Sequence, residues 1–119
     1  MEIDRDISPV DEADRELLEL SAKAADISLF TNDDCGLYIA PPMRRWNPLT
    51  DDGDAFRLLM ELCINIRYGS GYVYASHSSF RTCFAEHLDK GKESSIRRAI
   101  VRVAAEIGRK KQNEASNGN

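Results

Sequence analysis

From Ala55 onward the hydrophobic period of this chain changes from helical to extended and back. Ala55, Leu58, Leu59, Leu62 and Cys63 recur at i, i+3, i+4, i+7 and i+8, the spacing of one buried helical face. Ile64, Ile66 and Tyr68 then alternate with Asn65 and Arg67, the period of a half-buried strand. Ile96, Ala99, Ile100, Val103, Ala104 and Ile107 return to helical spacing and form the cleanest amphipathic face in the chain. A chain patterned this way mixes helices with an antiparallel sheet, so the fold class is α+β.

The first of these helices follows a dense start signal, Trp46-Asn47-Pro48-Leu49-Thr50-Asp51-Asp52-Gly53-Asp54. Pro48 fixes its own φ and turns Asn47 away from the helical region. Thr50 is the candidate N-cap. Asp51, Asp52 and Asp54 place negative charge at the positive end of the helix dipole. The competing reading of Asp-Asp-Gly-Asp is a calcium loop. Such a loop needs oxygen ligands over twelve residues to a closing Glu, and here an apolar helix begins instead. Phe56 and Met60 form a second i,i+4 pair beside the buried face.

The remaining elements follow from local pattern. Residues 1–10 read as a lead-in. Asp11 to Ala25 reads as a first helix, with Ala13, Leu17, Leu20 and Ala24 on one face. Ile27–Phe30 and Gly36–Ala40 read as short strands around the turn residues Thr31-Asn32-Asp33-Asp34, and Pro41-Pro42 stops the second. Tyr72–Ser76 returns from a Gly69-Ser70-Gly71 hairpin turn, and Phe80–Glu86 supplies a third strand. Ser94 or Ser95 caps the last helix, which ends at Gly108. The expected order is α-β-β-α-β-β-β-α, with an αβββα core from residue 50. An antiparallel sheet of three to five strands packs against the helices. The domain spans 11–109, and 110–119 reads as a disordered polar tail.

A chain of 119 residues is expected to form one domain. It contains no apolar run of membrane-spanning length, and its acidic N-terminus lacks a signal-peptide core. Cys35, Cys63 and Cys83 are an odd set without a Cys-x-x-Cys pair. They read as buried reduced thiols of a cytosolic protein.

The net charge of −4 hides an asymmetry. Residues 1–54 hold 14 acids and 5 bases, whereas residues 55–119 hold 6 acids and 11 bases. Such asymmetry marks either a partner surface or two halves that attract each other. The candidate partner-binding residues are therefore Asp11, Glu12, Asp14, Glu16 and Glu19 on the acidic side. Lys90, Lys92, Arg97, Arg98 and Arg102 are their counterparts on the basic side.

No catalytic constellation emerges. His77 lies beside a turn and His87 at a strand end, and Cys83 stands roughly 13 Å from His87 along an extended strand. No Gly-x-Ser-x-Gly elbow surrounds Ser76, Ser78 or Ser79. Gly69-x-Gly71 lies between strands and so is no phosphate loop. The sequence assigns no catalytic residue, cofactor or metal. Tyr68, Tyr72 and Tyr74 offer either base-stacking rings or ordinary strand aromatics.

Three strings carry a resemblance over most of the chain: Trp46–Ile66 (WNPLTDDGDAFRLLMELCINI), Phe80–His87 (FRTCFAEH) and Arg97–Gly108 (RRAIVRVAAEIG). Together they resemble the phage ABA-sandwich domain family, small NinX-like proteins of tailed phages and prophages. Met60 and Cys63 depart from the family pattern without threatening the fold. The resemblance implies a small α/β accessory protein of unassigned molecular role in the bacterial host cytoplasm. It supplies no catalytic residues. The expected function is non-enzymatic binding of a host or phage protein, with anti-defence inhibition one use. A second, topological resemblance is to double-stranded-RNA-binding domains, which place basic residues at the start of the last helix. It makes nucleic-acid binding through Lys90, Lys92, Arg97, Arg98 and Arg102 the alternative.

Overall fold

The computed structural model describes residues 11–31 and 36–117. The lead-in 1–10, most of the first strand-connecting turn with Cys35, and residues 118–119 lie outside that set. Among the described residues the order is α1 (Glu12–Ala24), β1 (Phe30–Thr31), β2 (Leu37–Ile39), β3 (Arg44–Arg45), α2 (Asp52–Leu62), β4 (Asn65–Gly69), β5 (Tyr72–Ser76), β6 (Phe84–His87) and α3 (Lys92–Asn117). A single 3-10 turn at Leu88–Lys90 joins β6 to α3. The molecule is α+β, as the periodicity requires.

The strands form two separate antiparallel sheets, β1-β2-β3 and β4-β5-β6, where a single sheet of up to five strands was expected. β3 was not foreseen. Arg44-Arg45 has no apolar alternation, and it is a strand because Tyr38 and Ile39 pair with it. The third long strand is also shorter than predicted. Phe80 closes a turn onto His77, and pairing begins only at Phe84, opposite Ala75.

α3 is the hub. α1, α2, β5 and β6 all pack on it, so it buries Ala99, Ile100, Val101, Val103, Ala104 and Ala105 around much of its circumference. Val73 and Ala75 of β5 are fully buried beneath it. The intervening Tyr72, Tyr74 and Ser76 face away, as strand alternation demands.

Gly108 does not stop α3. A Cβ there would lie 1.9 Å from the backbone oxygen of Leu20. Gly108 is where α1 and α3 touch backbone to backbone, and the helix continues through it to Asn117. Small residues serve the same contact elsewhere. Ser21, fully buried in α1, donates from Oγ to the Val101 carbonyl at 3.2 Å. The buried stripe of α1 is accordingly Leu18, Leu20, Ser21, Ala22 and Ala24, while Ala13 is exposed.

Residues 110–117, expected as a polar tail, are helix with work to do. Lys111 Nζ donates to the carbonyls of Lys23 and Ala24 at 3.3 Å and pairs with Asp26 at 3.0 Å. That places a cation on the negative end of α1. Lys110 Nζ donates to the Ser79 carbonyl at 3.0 Å.

The helix ends proper fall at non-glycine residues. Asp26 and Cys63 both adopt φ near +58 and +57. Ile27 donates to Ala22 O and Ile64 to Leu59 O, with the Asp26 and Cys63 amides reaching Lys23 O and Met60 O. Both are Schellman closures with an aspartate or cysteine where glycine is usual. Cys63 is therefore exposed at a helix terminus, and Cys83 is exposed as well. The expectation of buried thiols fails for these two, because neither side chain lies on a core-facing stripe.

Candidate functional site

The segment Trp46–Asp54 builds the most elaborate local structure in the chain. Trp46 is 3% exposed and donates its amide to Leu37 O at 2.9 Å, tying the small sheet to α2. Asn47 Oδ1 accepts from the Leu49 amide at 2.9 Å, an Asx turn. Thr50, the predicted cap, instead directs its hydroxyl to the Asn47 carbonyl. Asp51 is the cap, and its carboxylate accepts from the Asp54 amide at 2.8 Å.

The three aspartates have three separate roles. Asp51 caps. Asp52 pairs with Arg97 at 2.6 Å. Asp54, 1% exposed, is the knot of the segment. Its Oδ1 accepts from Arg44 at 3.1 Å and Arg57 at 3.0 Å, and its Oδ2 accepts from the Asn47 amide at 2.9 Å. A buried carboxylate is tolerable only when paired and hydrogen-bonded in this way.

Two concave surfaces flank α2. On one side a cleft of about 360 Å³ is lined by Trp46, Ile39, Met60, Arg44, Arg57 and Asp54. On the other a groove of about 380 Å³ runs between α2, β4 and the first turns of α3. Its apolar walls are Phe56, Leu59, Ile66, Tyr68, Ile96 and Ile100, and Asp52, Glu93 and Arg97 stand at its rim. Phe56 and Tyr68 are 56% and 57% exposed, although they border buried Ile100 and half-buried Leu59, Ile66 and Ile96; an exposed apolar patch of this kind is the informative exception. Sequence pattern hid this groove. The i,i+4 pair of Phe56 and Met60 reads as a core flank, yet no element covers it among the described residues.

The charged surfaces meet each other. Arg98 grips Asp14 with both terminal nitrogens, at 3.2 and 3.3 Å. Arg109 faces Glu16 at 3.7 Å. Arg97 also donates to the Leu49 carbonyl at 2.8 Å. Arg102 pairs with Glu86 at 2.7 Å and stands 4.8 Å from the Phe84 ring centre. Glu19 pairs with Arg15 within α1. Lys90, Lys92, Asp11 and Glu12 are exposed, without an ion pair among the described residues. Among the described candidate residues only Asp14 and Arg98 pair with each other; Arg97, Arg102, Glu16 and Glu19 pair with charges outside the candidate set.

The two histidines serve local structure. His77 Nδ1 accepts from the Ser79 amide at 3.0 Å. His87 lies 4.2 Å from the Tyr72 ring centre. The three tyrosines of the hairpin divide: Tyr68 pairs opposite Val73 on the α3 side, while Tyr72 and Tyr74 occupy the far face.

In comparisons with family models, curated proteins and solved structures, the chain matched none.

Proposed function

We propose that this chain is a small non-enzymatic phage or prophage accessory protein. It binds a host or phage protein through the groove between α2, β4 and α3. The carrying observation is the exposure of Phe56 and Tyr68, each more than half open to solvent, over a floor of Leu59, Ile66, Ile96 and Ile100. An apolar patch ringed by charges is the usual form of a protein contact, and aromatic anchors dominate such contacts energetically. The strings Trp46–Ile66 and Arg97–Gly108 support the phage assignment by resemblance, and anti-defence inhibition is one use of such binding. The compartment that goes with this reading is the bacterial host cytoplasm. No helix of the described residues is long and apolar enough to cross a membrane.

Duplex RNA recognition by α3 is the weaker alternative. Arg97, Arg98 and Arg102 already hold carboxylates, and breaking those pairs would offset the gain from phosphate contacts.

The test is affinity capture from infected cells, followed by reconstitution with the purified captured protein. Phe56→Asp with Tyr68→Ser is expected to weaken that complex at least a hundredfold while the chain stays folded. Retention of the complex by this variant, or tight binding to an RNA duplex of about 16 base pairs, the span of one such module, would overturn the reading.

A further inference from the structure

The outer face of the β4-β5-β6 sheet carries a row of planar groups that the protein-binding groove does not use. Arg67 lies opposite Tyr74 across β4 and β5, and Tyr72 lies opposite His87 across β5 and β6. Their side chains are in continuous contact. The Arg67 guanidinium is 4.5 Å from the Tyr74 ring centre. Tyr74 and Tyr72 are nearly parallel, 22° apart with centres 6.0 Å apart. Tyr72 and His87 are 4.2 Å apart. Gly69 makes room for this arrangement, since a Cβ there would meet Tyr74 Cε2 at 2.9 Å.

Charge on this face is one-sided. The outward positions of the three strands are Asn65, Arg67, Gly69, Tyr72, Tyr74, Ser76, Ala85 and His87 by alternation from buried Val73 and Ala75. No carboxylate occurs among them, in a chain with 20 acidic residues. The helices lie elsewhere. α3 packs on the opposite face, and α1 and α2 pack on α3. The acids of α1 that pair with α3 are therefore removed from this surface.

We infer that this face binds single-stranded nucleic acid, with bases stacking along the Tyr74, Tyr72 and His87 rings and Arg67 taking a phosphate or a base plane. Unpaired bases present the flat apolar surfaces that such rings prefer, and their backbone is complementary to an acid-free, arginine-bearing sheet. A duplex hides its bases and gains nothing from the row. The binding surface is distinct from the Phe56–Tyr68 groove, so the two proposals stand or fall separately.

Fluorescence anisotropy of the full chain with a labelled oligouridylate of roughly 10 nucleotides, within the range of single-strand sites, tests the inference. Binding at low salt is expected, with Tyr72→Leu plus Tyr74→Leu reducing affinity at least tenfold. Tyr72→Phe plus Tyr74→Phe should bind like the unmodified chain, since it keeps both rings. Only one or two phosphates are engaged, so raising salt from about 50 to 200 mM should cost about sevenfold or less. Arg67→Glu, an exposed change that leaves the core untouched, should also abolish binding and serves if the leucine variant fails to fold. Phe56→Asp should leave it unchanged. Absence of binding at low salt, affinity undiminished in the leucine and Arg67→Glu variants, or stronger binding to duplex of the same sequence would each overturn it.

Discussion

Asp54 and Cys63 show how much a single position in this chain is asked to do. Asp54 organises Arg44, Arg57 and the Asn47 amide around one carboxylate sealed from solvent. Asp54→Asn keeps the shape but leaves two guanidinium groups without their shared anion. Both arginines are about half exposed, which tempers the cost, so a loss of about 2–3 kcal/mol is expected. A urea midpoint unchanged by the substitution would show that the knot is ornamental. Cys63 makes the opposite case. It holds a left-handed conformation that costs an L-residue about 1 kcal/mol or more, and its weak contact to Met60 O is 3.9 Å long. Cys63→Gly removes that cost but adds glycine's larger backbone entropy in the unfolded chain, so a net gain of about 0.5–1 kcal/mol is expected, readable as a higher melting temperature. These two residues also mark what local pattern conveys. The aspartate cluster announces a helix start, but which aspartate caps and which is buried depends on Arg44 and Arg57.

At the scale of elements, the decisive contact is the crossing of α1 and α3. Helix propensity alone says that Gly108→Ala should stabilise an α-helix by about 1 kcal/mol. The structure says the reverse, because the added carbon would fall 1.9 Å from Leu20 O and 2.7 Å from Leu20 C. Backbone cannot rotate away as a side chain can, so the helices must separate and the buried Ser21–Val101 bond must lengthen. A net loss of at least about 2 kcal/mol is expected. Equilibrium denaturation decides by sign, and any gain in stability would refute the close crossing. In sequence the same glycine looks like a helix stop, since it follows the last periodic residue and precedes a polar run. The 26-residue length of α3 was illegible for that reason. Its final turns are stabilised by Lys110 and Lys111 reaching other elements, a tertiary cause that no window of local sequence contains.

Across the whole molecule, ion pairs tie the acidic first half to the basic second half at Asp14–Arg98, Glu16–Arg109, Asp26–Lys111 and Asp52–Arg97. The Asp14–Arg98 pair is bidentate but partly solvated, with side chains 29% and 39% exposed. A double-mutant cycle on Asp14→Ala and Arg98→Ala should yield a coupling of about 0.2–1 kcal/mol, diminishing with added salt. Zero coupling at low salt would return both residues to the pool of free surface charge. The α+β class, the location of α2, the β4-β5 hairpin and the amphipathic body of α3 are legible from local pattern, because period, turn residues and caps act over a few neighbouring positions. The sequence also stated the charge asymmetry and both meanings that asymmetry can have. Tertiary structure set which charges meet across the halves (Asp14 with Arg98, Asp26 with Lys111, Asp52 with Arg97), divided the strands into two sheets, and left Phe56 and Tyr68 open to solvent. Only the fold reveals that Tyr72, Tyr74, His87 and Arg67 share one face. Each of those outcomes depends on which distant segment covers a residue, and the coverage is set by backbone packing at places such as Gly108 rather than by the residue's own neighbours.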